Sequence, residues 1–232
     1  MRELSTNRML RRGAAMLTVV GGLAGGIGWM HTPDGRAVLA RLGVPCPVEH
    51  VNPELVRSVR DDAVAISRGT TPAPERPALG LQLDHTTQAE VSEWALHSHA
   101  QCADITRGFH YLRCRGVPAT SLGIVGPPVS EIWFSFGPAH TLIAVNLYRR
   151  DMNPSQTRQS WATAVGKLRQ MLGEPTKSIG DLSLAGLTSS PVAIARVQYV
   201  YSDYIATVTA SHLPYGGLAV REQYMSEVAG PA

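Results

Sequence analysis

The sequence predicts an α+β protein: an N-terminal transmembrane helix, a short helical stalk, and two helix-plus-antiparallel-sheet modules. Three observations predict it. An uncharged run of 18 residues, 13–30, follows a cluster of arginines. Two helix-start signals, at Thr87 and Asn153, each precede apolar residues at helical spacing and then segments in which apolar residues alternate. The alternating segments are joined by turns too short for crossover helices, which makes their pairing antiparallel.

Charge locates the first part. The 232 residues carry 21 Lys+Arg and 18 Asp+Glu, for a formal charge of +3. Arg2, Arg8, Arg11 and Arg12 against Glu3 account for all of it, leaving 17 basic and 17 acidic residues beyond position 12. Residues 1–12 therefore read as a basic cytoplasmic leader, and 13–30 as a span that a helix would extend about 27 Å, close to the hydrocarbon thickness of a bilayer. The arginines precede the span while Asp34 and Arg36 cancel after it, which places the bulk of the chain outside the membrane. A cleaved signal peptide is the competing reading, with a poor small-residue site at Gly22-Leu23-Ala24. Gly21 and Gly25, like Gly22 and Gly26, have the small-xxx-small spacing of paired membrane helices, so a homodimer through these glycines is one expectation. Two lysines against nineteen arginines, with abundant Ala, Gly and Pro, point to a GC-rich bacterium. Together these predict a single-pass inner-membrane protein with a periplasmic domain. No basic cluster lies beyond the leader along the chain, so a nucleic-acid partner is not expected.

The remaining elements follow in order. Residues 31–68 read as the stalk: a short helix over 34–42 ended by Pro45 and Pro47, then one begun by Asn52-Pro53 with Leu55, Val56, Val59, Ala63 and Ile66 at helical spacing. Residues 69–78 hold several prolines and little to bury, and read as a linker. The first module, 79–152, opens with Thr87-Gln88-Ala89-Glu90, a capping box. Val91, Trp94, Ala95, Ser98 and Cys102 then form one helical stripe. Strands are predicted over 111–115, 131–136 and 141–149, the last two joined by Gly137-Pro138-Ala139-His140. The second module, 153–232, starts at Asn153-Pro154-Ser155-Gln156. Its helix carries Trp161, Ala164, Val165, Leu168 and Met171, and Gly173 and Pro175 stop it. Strands follow over 192–201, 204–212 and 218–225.

The run Thr87-x-x-x-Val91, then Cys102, eleven residues, and Cys114-Arg115-Gly116, resembles the first repeat of the β-lactamase inhibitory protein family. Leu172-Gly173-Glu174-Pro175 is similar to the helix exit of such modules, as it is to that of the small lipoprotein of the outer-membrane barrel-assembly machinery. The likeness covers 84–226. It implies helices packed on antiparallel sheet and a Cys102–Cys114 disulfide; enzyme inhibition is not implied, since no inhibitory loop maps onto this chain. The second half departs from the pattern in having no cysteine pair.

Two chemistries compete for these cysteines. His97, His99, Cys102, His110 and Cys114 lie within eighteen residues, and zinc takes about four Cys or His ligands. On a helix His97 and His99 point about 200° apart, so the set that could converge is His99, Cys102, His110 and Cys114. An oxidising compartment favours the disulfide instead. Cys46 is then the odd cysteine, a free thiol or a bridge to a second chain.

Catalytic signals are weak. There is no Gly-x-Ser-x-Gly elbow, no His-Glu-x-x-His and no phosphate-binding Gly-rich loop, so no catalytic residue and no cofactor are assigned. Asp181, Asp203, Glu222 and Glu227 fall at turns, chain ends or strand faces where a solvated role is ordinary. Tyrosines gather late in the chain: Tyr199 and Tyr201 share a strand face and are expected to pack on the second helix, while Tyr204 and Tyr215 near turns are candidate partner contacts. The expected function is non-catalytic, binding an unidentified envelope protein or scaffolding an envelope complex. The alternative is an envelope metal-binding protein or enzyme using the histidine and cysteine set.

Overall fold

The computed structural model describes residues 53–107, 109–180, 183–188, 190, 192–213 and 217–227. After helix α1 (Pro53–Ser67) the chain runs through α2 (Gln88–His97), strands β1 (Gln101–Arg107) and β2 (Phe109–Val117), a short 3-10 turn, and β3 (Val129–Phe136) and β4 (Leu142–Met152). The second half again begins with a helix and supplies four strands, with its short helix after the first strand: α3 (Pro154–Leu172), β5 (Lys177–Ile179), α4 (Leu184–Thr188), β6 (Ala193–Val200), β7 (Tyr204–Leu213) and β8 (Gly217–Ser226).

Local chemistry starts both α2 and α3. Glu90 N–H donates to Thr87 Oγ1 at 3.3 Å while Thr87 N–H donates to Glu90 Oε2 at 2.7 Å. At α3, Gln156 N–H donates to Asn153 Oδ1 and Asn153 N–H to Gln156 Oε1, at 2.9 and 3.1 Å. Each box satisfies two amides that the first helical turn cannot pair internally. α2 ends earlier than its stripe predicts. His99 takes a left-handed φ of 53°, and Cys102 already lies in β1.

Two separate modules do not form. Among the described residues all strands join one eight-stranded antiparallel sheet of order β1-β2-β3-β4-β8-β7-β6-β5. The last strand of each half pairs with the other, from Ala144 opposite Met225 to Arg149 opposite Val220, so backbone hydrogen bonds run unbroken across the seam. The expected architecture is corrected to this single sheet. α2 and α3 cover one face: Trp94 meets Phe134 edge-on with ring centroids 5.3 Å apart, and Ala164, Leu168 and Leu172 of α3 are buried. Ile132, Phe134, Val145, Leu147, Val197, Val208 and Val220 form the core beneath them.

The proline-rich stretch 69–78 is seated at the turn between β6 and β7. Gly69 N–H donates to Tyr201 O at 3.1 Å, Ser202 N–H to Thr71 O at 2.8 Å, and Ala73 N–H to Asp203 Oδ1 at 2.8 Å. A Cβ on Gly69 would stand 2.7 Å from Val200 O, so only glycine permits this approach.

The expected single-pass inner-membrane placement is also corrected. Among the described residues no helix is long and apolar enough to cross a membrane. The longest helix, α3, has 19 residues, but Arg158, Lys167 and Arg169 stand exposed on its outer side, where hydrocarbon would strand their charge. Residues 13–30, the anchor glycines, the 34–42 helix and Cys46 lie outside the described residues.

Candidate functional site

Strand alternation sends successive side chains to opposite faces, and directly opposed residues in an antiparallel pair share a face. Applied across the sheet, the register sorts the face away from α2 and α3 into three rows that run perpendicular to the strands. One contains Arg115, Glu131, Tyr148, Arg221, Thr209 and Arg196. The next contains Arg113, Trp133, Asn146, Gln223, Thr207 and Gln198. The third contains Tyr111, Ser135, Ala144, Met225, Ile205 and Val200. The rows grade from cationic through amide and hydroxyl to mainly apolar.

Arginines and aromatic rings interlock at the centre of this open face. The Arg113 guanidinium lies 5.0 Å from the Trp133 ring centroid, and those of Arg150 and Arg221 each lie 5.3 Å from that of Tyr148. Tyr111 meets Trp133 edge-on at 6.0 Å. Glu131 is the anchor: Arg113 Nη2 donates to its Oε2 at 2.6 Å, Trp133 Nε1 donates to Oε1, and Arg115 Nε is 3.7 Å away. Burial pushes the Glu131 carboxyl up, but the bonds from Arg113 and Trp133 and the charges of Arg113 and Arg150 outweigh it and hold it below the ordinary range.

The helix-covered face carries an ionic group of its own at the seam. Arg149 Nη1 is 3.9 Å from Glu222 Oε1, and Tyr224 Oη donates to Glu222 Oε2 at 2.6 Å, all three side chains being buried. Burial drives the Glu222 carboxyl up against the opposing pull of Tyr224, Arg149 and Lys167, and burial likewise drives the Tyr224 hydroxyl well up. Glu222 is thus not the solvated strand carboxylate the sequence predicts, because β8 points it inward beneath α3.

The residues singled out from sequence are distributed as follows. Cys102 and Cys114 are directly opposed in β1 and β2, with Cα atoms 4.0 Å apart, and form a disulfide. Both sulfurs are thereby removed from the zinc set. His99 lies before β1, whereas His110 lies four residues along β2 from Cys114, about 13 Å away at strand rise. His110 instead approaches His140, with ring centroids 5.8 Å apart at a cavity of about 350 Å³ lined also by Thr106, Phe109, Phe136 and Pro138. His140 Nδ1 donates to Gln88 Oε1 at 3.2 Å, and among the described residues no group of three or more His, Cys, Asp or Glu is placed to hold a metal ion. His97 Nδ1 is turned to Glu93 O of its own helix at 2.8 Å.

Tyr204 is corrected as a partner contact. It is fully buried and its hydroxyl donates to Pro77 O, because the docked 69–78 stretch covers it. Tyr215 lies outside the described residues. Tyr201 packs on the second helix, its hydroxyl donating to Leu172 O at 2.9 Å. The open-face arginines escaped sequence reasoning because they come from four strands spread along the chain, so no run of basic residues marks them. The one available signal is alternation: Arg113 and Arg115 in β2, or Tyr148 and Arg150 in β4, stand two apart on one face. Comparison with protein-family models, curated proteins and solved structures gives no match.

Proposed function

We propose that this chain is a non-catalytic protein-recognition module that engages its partner through the open face of the sheet. The carrying observation is the cluster of Trp133, Tyr148, Tyr111 and the arginines packed against them, partly exposed on a face that α2 and α3 leave clear. Trp, Tyr and Arg dominate interface energetics because they offer large amphipathic contact area, the two aromatic rings at low entropic cost. Here the rings are already fixed by edge contacts and guanidinium stacking, so little freedom is lost when a partner arrives. The resemblance to the β-lactamase inhibitory protein family belongs to this proposal only as a likeness of helix-on-sheet packing and disulfide, without the inhibitory activity.

A photo-crosslinking amino acid placed at Tyr111 or Asn146 on the open face, and separately at Gln159 on the exposed side of α3, tests the reading in cells that express the chain. Adducts of one discrete mass from the open-face positions, and none from Gln159, are expected. Equal adducts from both faces, or adducts from Gln159 alone, would refute it.

A further inference from the structure

We propose that the open face takes an acidic protein segment lying across the strands, with its carboxylates meeting the arginines of the first row. This rests on the reading of the open face as a recognition surface and specifies the chemistry of its partner.

The argument begins with uncompensated charge. Within the three rows Glu131 is the only carboxylate, and it is already engaged by Arg113 and approached by Arg115. Arg221 and Arg196 are held by neutral acceptors, Arg221 Nη2 donating to Asn146 Oδ1 at 2.7 Å and Arg196 Nε to Thr209 Oγ1 at 3.3 Å. A neutral acceptor fixes a guanidinium without cancelling its charge, and leaves the remaining N–H groups of its fork for a carboxylate. Arg150, stacked on Tyr148, adds a third cation.

Spacing favours a protein segment. Arg221 and Arg196 stand in one register row with β7 between them, about 10 Å apart, which matches residues i and i+7 of a helix. The third row, where Met225 and Val200 are partly exposed on either side of the buried Ile205, runs parallel to them, so a segment with one acidic and one apolar side satisfies both. A phosphodiester chain fits less well. Glu131 sits in the cationic row itself and would repel a uniform run of phosphates, whereas a protein segment can place a neutral or basic side chain there.

The experiment uses the full chain and a fluorescein-labelled amphipathic peptide of about 16 residues, with Glu and Leu at helical spacing, long enough to reach from Arg115 to Arg196. Its Gln-for-Glu analogue and a single-stranded DNA of equal charge are run beside it by anisotropy. The expected result is salt-sensitive binding that weakens about tenfold or more for the Gln analogue and for Arg196→Glu/Arg221→Glu, and is unchanged by Arg158→Glu on the exposed side of α3. Should the charge reversal disturb the circular dichroism spectrum, Arg196→Gln/Arg221→Gln takes its place and the same loss is expected. Equal binding of the Gln analogue, or full binding by either double variant, overturns the proposal; tighter binding of the DNA replaces it with a nucleic-acid surface. Open-face crosslinks to a partner that tolerates both double variants would refute the acidic partner alone, whereas failure of those crosslinks would refute the recognition face as well.

Discussion

The two faces of this sheet carry the same residue chemistry and use it oppositely. Each has a glutamate facing arginine: Glu131 with Arg113 and Arg115 on the open face, Glu222 with Arg149 on the helix-covered face. Glu131 receives donors from Arg113 and Trp133, and its carboxyl is held low. Glu222 lies under α3, with Arg149 at 3.9 Å and one bond from Tyr224, and burial holds its carboxyl high. The difference shows what decides the sign. Desolvation penalises the charge on both faces, and only a full set of directed donors overcomes it.

The comparison predicts that stability resides on the helix face and binding on the open face. The largest effect is expected from Arg149→Met, which leaves Glu222 without its cation at the seam between β4 and β8; a loss of about 3–5 kcal/mol is predicted by chemical denaturation at neutral pH. A loss no larger than that of a surface substitution would break the distinction between the faces. Removing the disulfide by Cys102→Ser with Cys114→Ser is next, at about 3 kcal/mol in the chain-entropy model. If both wild-type cysteines are alkylated in the native protein without reductant, the bridge that anchors β1 is absent. Trp133→Ala loses a cation–π contact and one donor to Glu131, about 1.5 kcal/mol of stability. Its main effect is expected in partner crosslinking from Tyr111, which should fall sharply.

The smallest effects, with opposite signs, appear in pH titrations of stability. A carboxyl held high in the fold binds its proton more tightly folded than unfolded, so stability falls as pH rises from the unfolded value through the folded one. Glu222→Gln should remove that decline. Glu131, held low, stabilises above its unfolded value and loses this as pH falls through its folded value. Glu131→Gln should therefore flatten the acid limb. The same slope change from both variants would show that the two carboxyls share one environment.

Much of the fold was legible because it is local. Thr87 with Glu90 and Asn153 with Gln156 declare helix starts within four residues, and Gly137 to His140 declares the β3–β4 turn, where Gly137 N–H donates to Thr141 O at 2.9 Å. β1 was hidden because Ser98 and Cys102 continue the apolar stripe of α2. The left-handed turn at His99 breaks the helix although a non-glycine residue occupies it. The seam was hidden for another reason. Val145 and Tyr224 are opposed, yet each lies in a strand with ordinary alternation, and nothing in alternation names its neighbour. The candidate face inherits that limit: a count along the chain finds 17 basic and 17 acidic residues beyond the leader, while the sheet gathers arginines from four strands onto one side.

The sequence by itself determined the helix caps, most strands, the antiparallel sense of their pairing and the cysteine spacing, since each depends on residues within a few positions of one another. Tertiary structure alone decided that both halves share one sheet, that Glu222 is buried while Glu131 is held by donors, that the 69–78 stretch covers Tyr204, and that the arginines form a row. Those outcomes depend on which strand edges meet. Backbone hydrogen bonding makes edges meet but is blind to side-chain identity, so the choice is made by packing of the whole chain.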